Sequence, residues 1–85
     1  MKTIYKFYAH WCGPCRMYAP TFDKVAKKFD GQVNYQNIDV DSDPETAQKY
    51  NVRSIPYTVL VKEDGSTVSK VGILNETEVE ELFLS

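Results

Sequence analysis

The chain opens on an apolar run, Ile4, Tyr5, Phe7, Tyr8 and Ala9, in which both parities are apolar. That pattern predicts a strand over residues 2–9 with both faces buried. The period then changes. Tyr18, Phe22, Val25, Ala26 and Phe29 fall on one face of a 3.6-residue repeat, which predicts a helix from about Gly13 to Phe29. Pro20 lies inside it, removes a backbone donor and is expected to kink it. Lys24, Lys27 and Lys28 sit toward its C-terminal end, where positive charge suits the dipole, and Gly31 is the expected left-handed cap. A second strand over residues 33–40 is unusually polar, with Asn34, Gln36, Asn37 and Asp39.

Asp41-Ser42-Asp43-Pro44-Glu45 combines an acceptor side chain, a first-turn proline and an acid, the signature of a helix start. The helix is predicted over residues 44–50, with Asn51 able to cap it. Pro56 precedes a β-branched, apolar third strand, Tyr57 to Val61. Lys62-Glu63-Asp64-Gly65 reads as a hairpin turn into a fourth strand, Thr67 to Val71. Asn75 with Glu78 three residues on reads as an N-cap. The helix after it presents Val79, Leu82 and Phe83 on one face. The order βαβαββα is an α/β pattern. The first two strands are expected to be parallel through a right-handed crossover and the last two antiparallel, giving a mixed four-stranded sheet with three helices over its faces.

Size and charge narrow the function. Eighty-five residues predict one domain, residues 1–85, with a small core, since such a chain buries only about 60–65% of its unfolded surface. Six tyrosines and four phenylalanines supply apolar area from few residues. A net charge of −2 suggests neither a nucleic-acid nor a membrane partner. No apolar run approaches the length of a membrane span, and Met1 to Lys6 carries no signal-peptide pattern. We therefore expect a cytoplasmic monomer. In that compartment a lone cysteine pair is catalytic or metal-binding rather than structural.

The chemistry centres on Trp11-Cys12-Gly13-Pro14-Cys15, which holds the chain's only two cysteines. A Cys-x-x-Cys pair at a strand-to-helix junction is a redox signature. A thiolate there is stabilised by unpaired N–H groups and the helix dipole. The plainer readings are weaker: a bridge this short constrains little chain, and two ligands do not fill a tetrahedral metal site.

The chain resembles the thioredoxin family. The likeness is carried by Trp11-Cys12-Gly13-Pro14-Cys15, by Lys6-Phe7-Tyr8-Ala9 before it and Met17-Tyr18-Ala19-Pro20 after it, and by Asn37-Ile38-Asp39, Val52-Arg53-Ser54-Ile55-Pro56 and Lys70-Val71-Gly72 in the family's order. The resemblance implies a thioredoxin-like sheet of strand order 2-1-3-4, here without the strand and helix that usually precede the first strand. The second strand would then form a sheet edge, and its polar side chains would discourage association there. It also implies a thiol–disulfide oxidoreductase that reduces protein disulfides, takes electrons from a thioredoxin reductase and needs no cofactor or metal. Gly13-Pro14 between the cysteines points to a reductant within this family.

The expected roles follow. Cys12, at the helix cap, is the nucleophile, its sulfur accepting the Cys15 N–H. Cys15, one turn in and more buried, is the resolving thiol. Gly13 lets a substrate backbone approach, and Pro14 presets the first turn. The resemblance makes the Ile55-Pro56 bond cis, against the general rarity of cis X-Pro, and leaves the Ile55 backbone free to pair with an extended substrate. Gly72 is expected to leave room beside the site, and to be a turn glycine at the end of the fourth strand, two compatible roles. Trp11 is expected on the contact surface rather than in the core. His10 is read as an exposed loop residue with a modest influence on the Cys12 thiolate. Lys6 departs from the family, which usually has a buried aspartate there, with a lysine near the position of Tyr35. A buried cation would favour a Cys15 thiolate while its own pKa fell; we favour instead a Lys6 that snorkels to a surface opened by the missing segment.

Three rivals remain. A glutaredoxin-like enzyme reduced by glutathione fits the compact chain, but such enzymes usually carry Pro-Tyr or Pro-Phe between their cysteines. A binding subunit of a larger enzyme would make the redox pair incidental. An iron–sulfur or copper carrier would need two chains, each giving a cysteine pair.

Overall fold

The computed structural model describes Met1–Ser85. Seven elements follow the predicted order: β1 Thr3–Tyr8, α1 Gly13–Lys28, β2 Asn34–Asp39, α2 Pro44–Lys49, β3 Tyr57–Val61, β4 Thr67–Val71 and α3 Glu76–Leu84. The sheet order is β2-β1-β3-β4, with β1 parallel to β2 and antiparallel to β3 and β4 antiparallel to β3. This is the expected 2-1-3-4 mixed sheet, with β2 at one edge and β4 at the other.

The central strand β1 divides the core. Ile4 faces α1 and α3, where it joins Tyr18, Phe22, Val25, Leu60, Val79 and Phe83. Phe7 faces the other way, toward Ala47 of α2 and Val59. One polar link crosses the first core: the Tyr18 hydroxyl and Thr58 Oγ1 are 3.0 Å apart with both residues fully buried. Burial pushes the Tyr18 phenol up to about 12, so it stays protonated and able to donate. On the surface, Lys24 and Lys28 of α1 meet Glu76 and Glu80 of α3.

Local signals hold the ends. Asp43 accepts the Thr46 N–H at the start of α2. Asn75 and Glu78 form a reciprocal capping box on α3. Gly65 turns the β3–β4 hairpin at φ +88°. Helix α1 runs through Pro20 as one element and ends at Lys28, short of the predicted Phe29, because the Phe29 N–H bends back to the carbonyls of Ala26 and Lys27. Asn51 follows α2 at φ +56°, a left-handed position that asparagine tolerates. The Lys2 ammonium donates to the Ser85 carbonyl at 2.8 Å, bringing the two ends of the described chain together.

Tyr18→Phe tests the internal polar link. It leaves the Thr58 hydroxyl buried without its partner, so we expect a loss of about 1–3 kcal/mol in urea unfolding. An unchanged midpoint would mean that the link adds nothing.

Candidate functional site

Strand β1 delivers the chain to the cysteines, and helix α1 begins between them. Cys12 is the N-cap, in extended conformation at φ −88°, ψ 107°. Its Sγ accepts the Cys15 backbone N–H at 3.2 Å, one of the first-turn donors that no intrahelical carbonyl can reach. Pro14, in the first turn, has no donor to place. The two cysteines are joined as a disulfide, their Cα atoms 5.3 Å apart, and each is 5% exposed, so Cys15 is not the more buried of the two as expected.

Two different surroundings meet at this disulfide. On the Cys12 side, Sγ lies 4.0 Å from the Ile55 carbonyl oxygen. The Ile55-Pro56 bond is cis, as the resemblance implies. The Ile55 N–H and C=O take part in no backbone hydrogen bond. A groove of about 330 Å³ runs beside Ile55, lined by Trp11, Val40, Val52 and Arg53. Trp11 is 69% exposed and is fixed there by its indole N–H, which donates to Asp41 Oδ2 at 2.8 Å.

On the Cys15 side a second cavity, of about 250 Å³, is lined by Cys15, Lys6, Tyr8, Arg16, Asp23 and Asn37, with His10 at its edge. Lys6 is 4% exposed, which replaces the expected snorkelling side chain on an open surface. The parity of β1 points it inward with Ile4, and its ammonium sits 5.2 Å from the Phe22 ring centre and 5.9 Å from that of Tyr18. Burial lowers the Lys6 pKa, and the Asp23 carboxylate partly opposes this. Tyr35 donates to Asn37 Oδ1 at 2.7 Å and lies 3.2 Å from Asp23 Oδ1.

His10 does not turn toward Cys12. Its side chain is 82% exposed, and Nε2 lies 3.3 Å from Asp39 Oδ2. Hydrogen bonds from the Asp41 N–H and from Ser42 hold the Asp39 carboxyl below its usual range. Gly72 is a turn glycine at the end of β4. A Cβ there would meet open space, and what requires glycine is its φ of +87°, adopted where the Gly72 N–H donates to the Pro56 carbonyl at 2.8 Å. A Cβ on Gly13 would touch only Arg16 Nη2, at 3.9 Å. Sequence reasoning missed Asp41 as the anchor of Trp11 and Arg16 as the donor to the His10 carbonyl at 2.8 Å. It also missed the Asp23–Tyr35–Asn37 cluster; its one signal was Tyr35 and Asn37 two residues apart, on one face of an unusually polar strand.

A disulfide at a strand-to-helix junction, on a four-stranded mixed sheet of order 2-1-3-4, defines a thioredoxin-like protein. The family model for thioredoxin matches residues 1–84, and the chain belongs to the thioredoxin family. It is 49% identical over 65 residues to a thioredoxin of Staphylococcus saprophyticus, covering 76% of this chain and 62% of that one. It is 34% identical over 80 residues to a thioredoxin of Borreliella burgdorferi, covering 94% and 68%. Against the crystal structure of chloroplastic thioredoxin z the TM-score is 0.85, at 29% identity, covering 98% of this chain and 75% of that one. The chain thus spans 62% of the staphylococcal relative's length. No helix is long and apolar enough to cross a membrane.

The buried ammonium makes stability depend on pH. The folded pKa of Lys6 lies below 10.5, so between the two values the unfolded chain binds the extra proton. The cost of burying the charge is fully present below the folded value and is relieved as the pH rises toward 10.5. In the disulfide form, Lys6→Met is expected to raise the urea midpoint at pH 7, with a gain that shrinks toward alkaline pH. A less stable Lys6→Met protein at pH 7 would contradict this.

Proposed function

We propose that this chain is a thiol–disulfide oxidoreductase that reduces protein disulfides through Cys12 and Cys15. The observation that carries this reading is the Cys12–Cys15 disulfide, with the Cys12 sulfur capping α1. Hydrogen bonding and the helix dipole favour a thiolate on that sulfur once the pair is reduced.

The cycle is a pair of exchanges. The Cys12 thiolate attacks one sulfur of a substrate disulfide. A Cys12–substrate bond forms, and the other substrate sulfur leaves with the electron pair. The Cys15 thiolate then attacks Cys12 Sγ, the internal disulfide closes, and the second substrate sulfur leaves as thiolate. Two electrons from a reductase restore the dithiol. In this reading the unpaired Ile55 backbone, before Pro56, pairs with an extended substrate segment by strand addition, and Trp11 with the groove beside it takes a neighbouring apolar side chain. Gly13 leaves the face over Cys12 open, and Gly72 holds the chain beside Pro56. His10, matched by Asp39, has little influence on the thiolate. The electron donor is a thioredoxin reductase, no cofactor is held, and the protein works as a cytoplasmic monomer, as one domain.

The test is NADPH consumption with a protein disulfide as substrate, in one arm with thioredoxin reductase and in the other with glutathione and its reductase. We expect turnover in the first arm and none with Cys12→Ser. Cys15→Ser is expected to accumulate a mixed disulfide with the substrate, visible by mass spectrometry. Turnover confined to the glutathione arm would make this a glutaredoxin-like enzyme, and turnover that survives Cys12→Ser would overturn the reading.

A further inference from the structure

Lys6 is the one charged side chain buried in the structure. The ion pairs of the chain all lie elsewhere. The Phe22 and Tyr18 rings offset part of its desolvation. Apart from those rings, the space it faces is the cavity shared with Cys15. A buried ammonium without a partner is costly, and while the disulfide is closed the Cys15 sulfur offers no charge to match it.

The other charged and titratable groups around the cavity leave this mismatch standing. From α1, Asp23 faces Lys6 but lies at the surface, beyond ion-pair distance, with its Oδ1 3.2 Å from the Tyr35 hydroxyl of β2. Arg16, also from α1, is held by the His10 carbonyl. His10 is matched by Asp39 at the end of β2. From β3, Thr58 is engaged with Tyr18, and Tyr8 of β1 also lines the cavity. Opening the disulfide therefore creates, at Cys15, an anion of the sign that Lys6 lacks.

We infer that Lys6 is a positioning residue for the resolving step: its ammonium is the counter-charge that holds Cys15 as thiolate once the disulfide is open. The inference rests on the disulfide cycle proposed above. In the mixed disulfide the Cys15 thiol gives its proton to water at the cavity mouth. Its sulfur then bonds to Cys12 Sγ as the bond from Cys12 Sγ to the substrate sulfur breaks. The electron pair leaves on the substrate thiolate, which takes a proton from water. Lys6 keeps its proton throughout and acts by charge alone. Coupling of this kind is reciprocal, so a Cys15 thiolate also tightens the hold of Lys6 on its proton.

The experiment follows single side chains by NMR against pH, with no substrate or reductase present. In Cys12→Ser protein carrying ¹³Cβ-labelled cysteine, the Cys15 midpoint is compared with that in the same protein with Lys6→Met or Lys6→Arg added. We expect Lys6→Met to raise the midpoint by about one unit or more and Lys6→Arg to bring it back down. The ¹³Cε signal of Lys6 is followed in Cys12→Ser and in Cys12→Ser/Cys15→Ser, which both retain the lysine. We expect the higher Lys6 midpoint where Cys15 is present. An unchanged Cys15 midpoint in folded Lys6→Met protein, or an equal Lys6 midpoint with and without Cys15, overturns the inference. Because nothing is turned over, failure of the enzymatic assay with this coupling intact would count against the oxidoreductase reading alone.

Discussion

The first N–H groups of a helix point at nothing inside it. In α1 one of them, from Cys15, ends on the sulfur of Cys12, and much of the molecule is placed by that bond. The sulfur must stand at the mouth of the helix, so β1 must stop close by, and the turn between them is fixed by the Cys12 N–H on the Ala9 carbonyl at 3.1 Å. Helix α1 must then lie flat on the sheet, which Tyr18, Phe22 and Val25 ensure by packing on Ile4 and Leu60. A hydrogen bond to sulfur is weak in itself. It is effective here because the helix and strand it joins are each held by a core of their own.

The same junction separates two sulfurs that are three residues apart in sequence. Cys12 faces a peptide carbonyl and an apolar groove. Cys15 faces a small cavity with an ammonium in its wall. Sheet alternation makes the difference. Ile4, Lys6 and Tyr8 share one face of β1, and Tyr5 and Phe7 share the other. Whatever replaces Lys6 is therefore felt from the Cys15 side, across the sheet from Phe7 and α2.

Much of this was legible in the sequence because the signals are local. The two-faced burial of β1, the Asp64-Gly65 turn and the Asn75–Glu78 capping box each lie within a few residues. The strand order needed the family resemblance, since parallel pairing of β1 with β2 joins residues about thirty positions apart. Asp41 was missed for the same reason: its tie to Trp11 spans 30 residues and leaves no pattern. Lys6 was misread because its charge argued for the surface while its parity, between Ile4 and Tyr8, argued for the interior. Parity prevailed because the Phe22 and Tyr18 rings and a nearby opening give the ammonium somewhere to lie. At Gly72 the backbone angle of +87° fits a glycine that turns the chain at the end of β4.

The register of the sheet gives the molecule a direction. Phe7 pairs with Tyr57 at the end that carries the cysteines, and Thr3 pairs with Val61 at the other. That second end also holds the Asp64-Gly65 turn, and there Lys2 grips Ser85. Residues 1 and 85 thus leave from the pole opposite the disulfide. A tether, a neighbouring domain or a solid support attached at either one would present Trp11 and Cys12 outward, as a head on a stalk, without crossing the face that carries them.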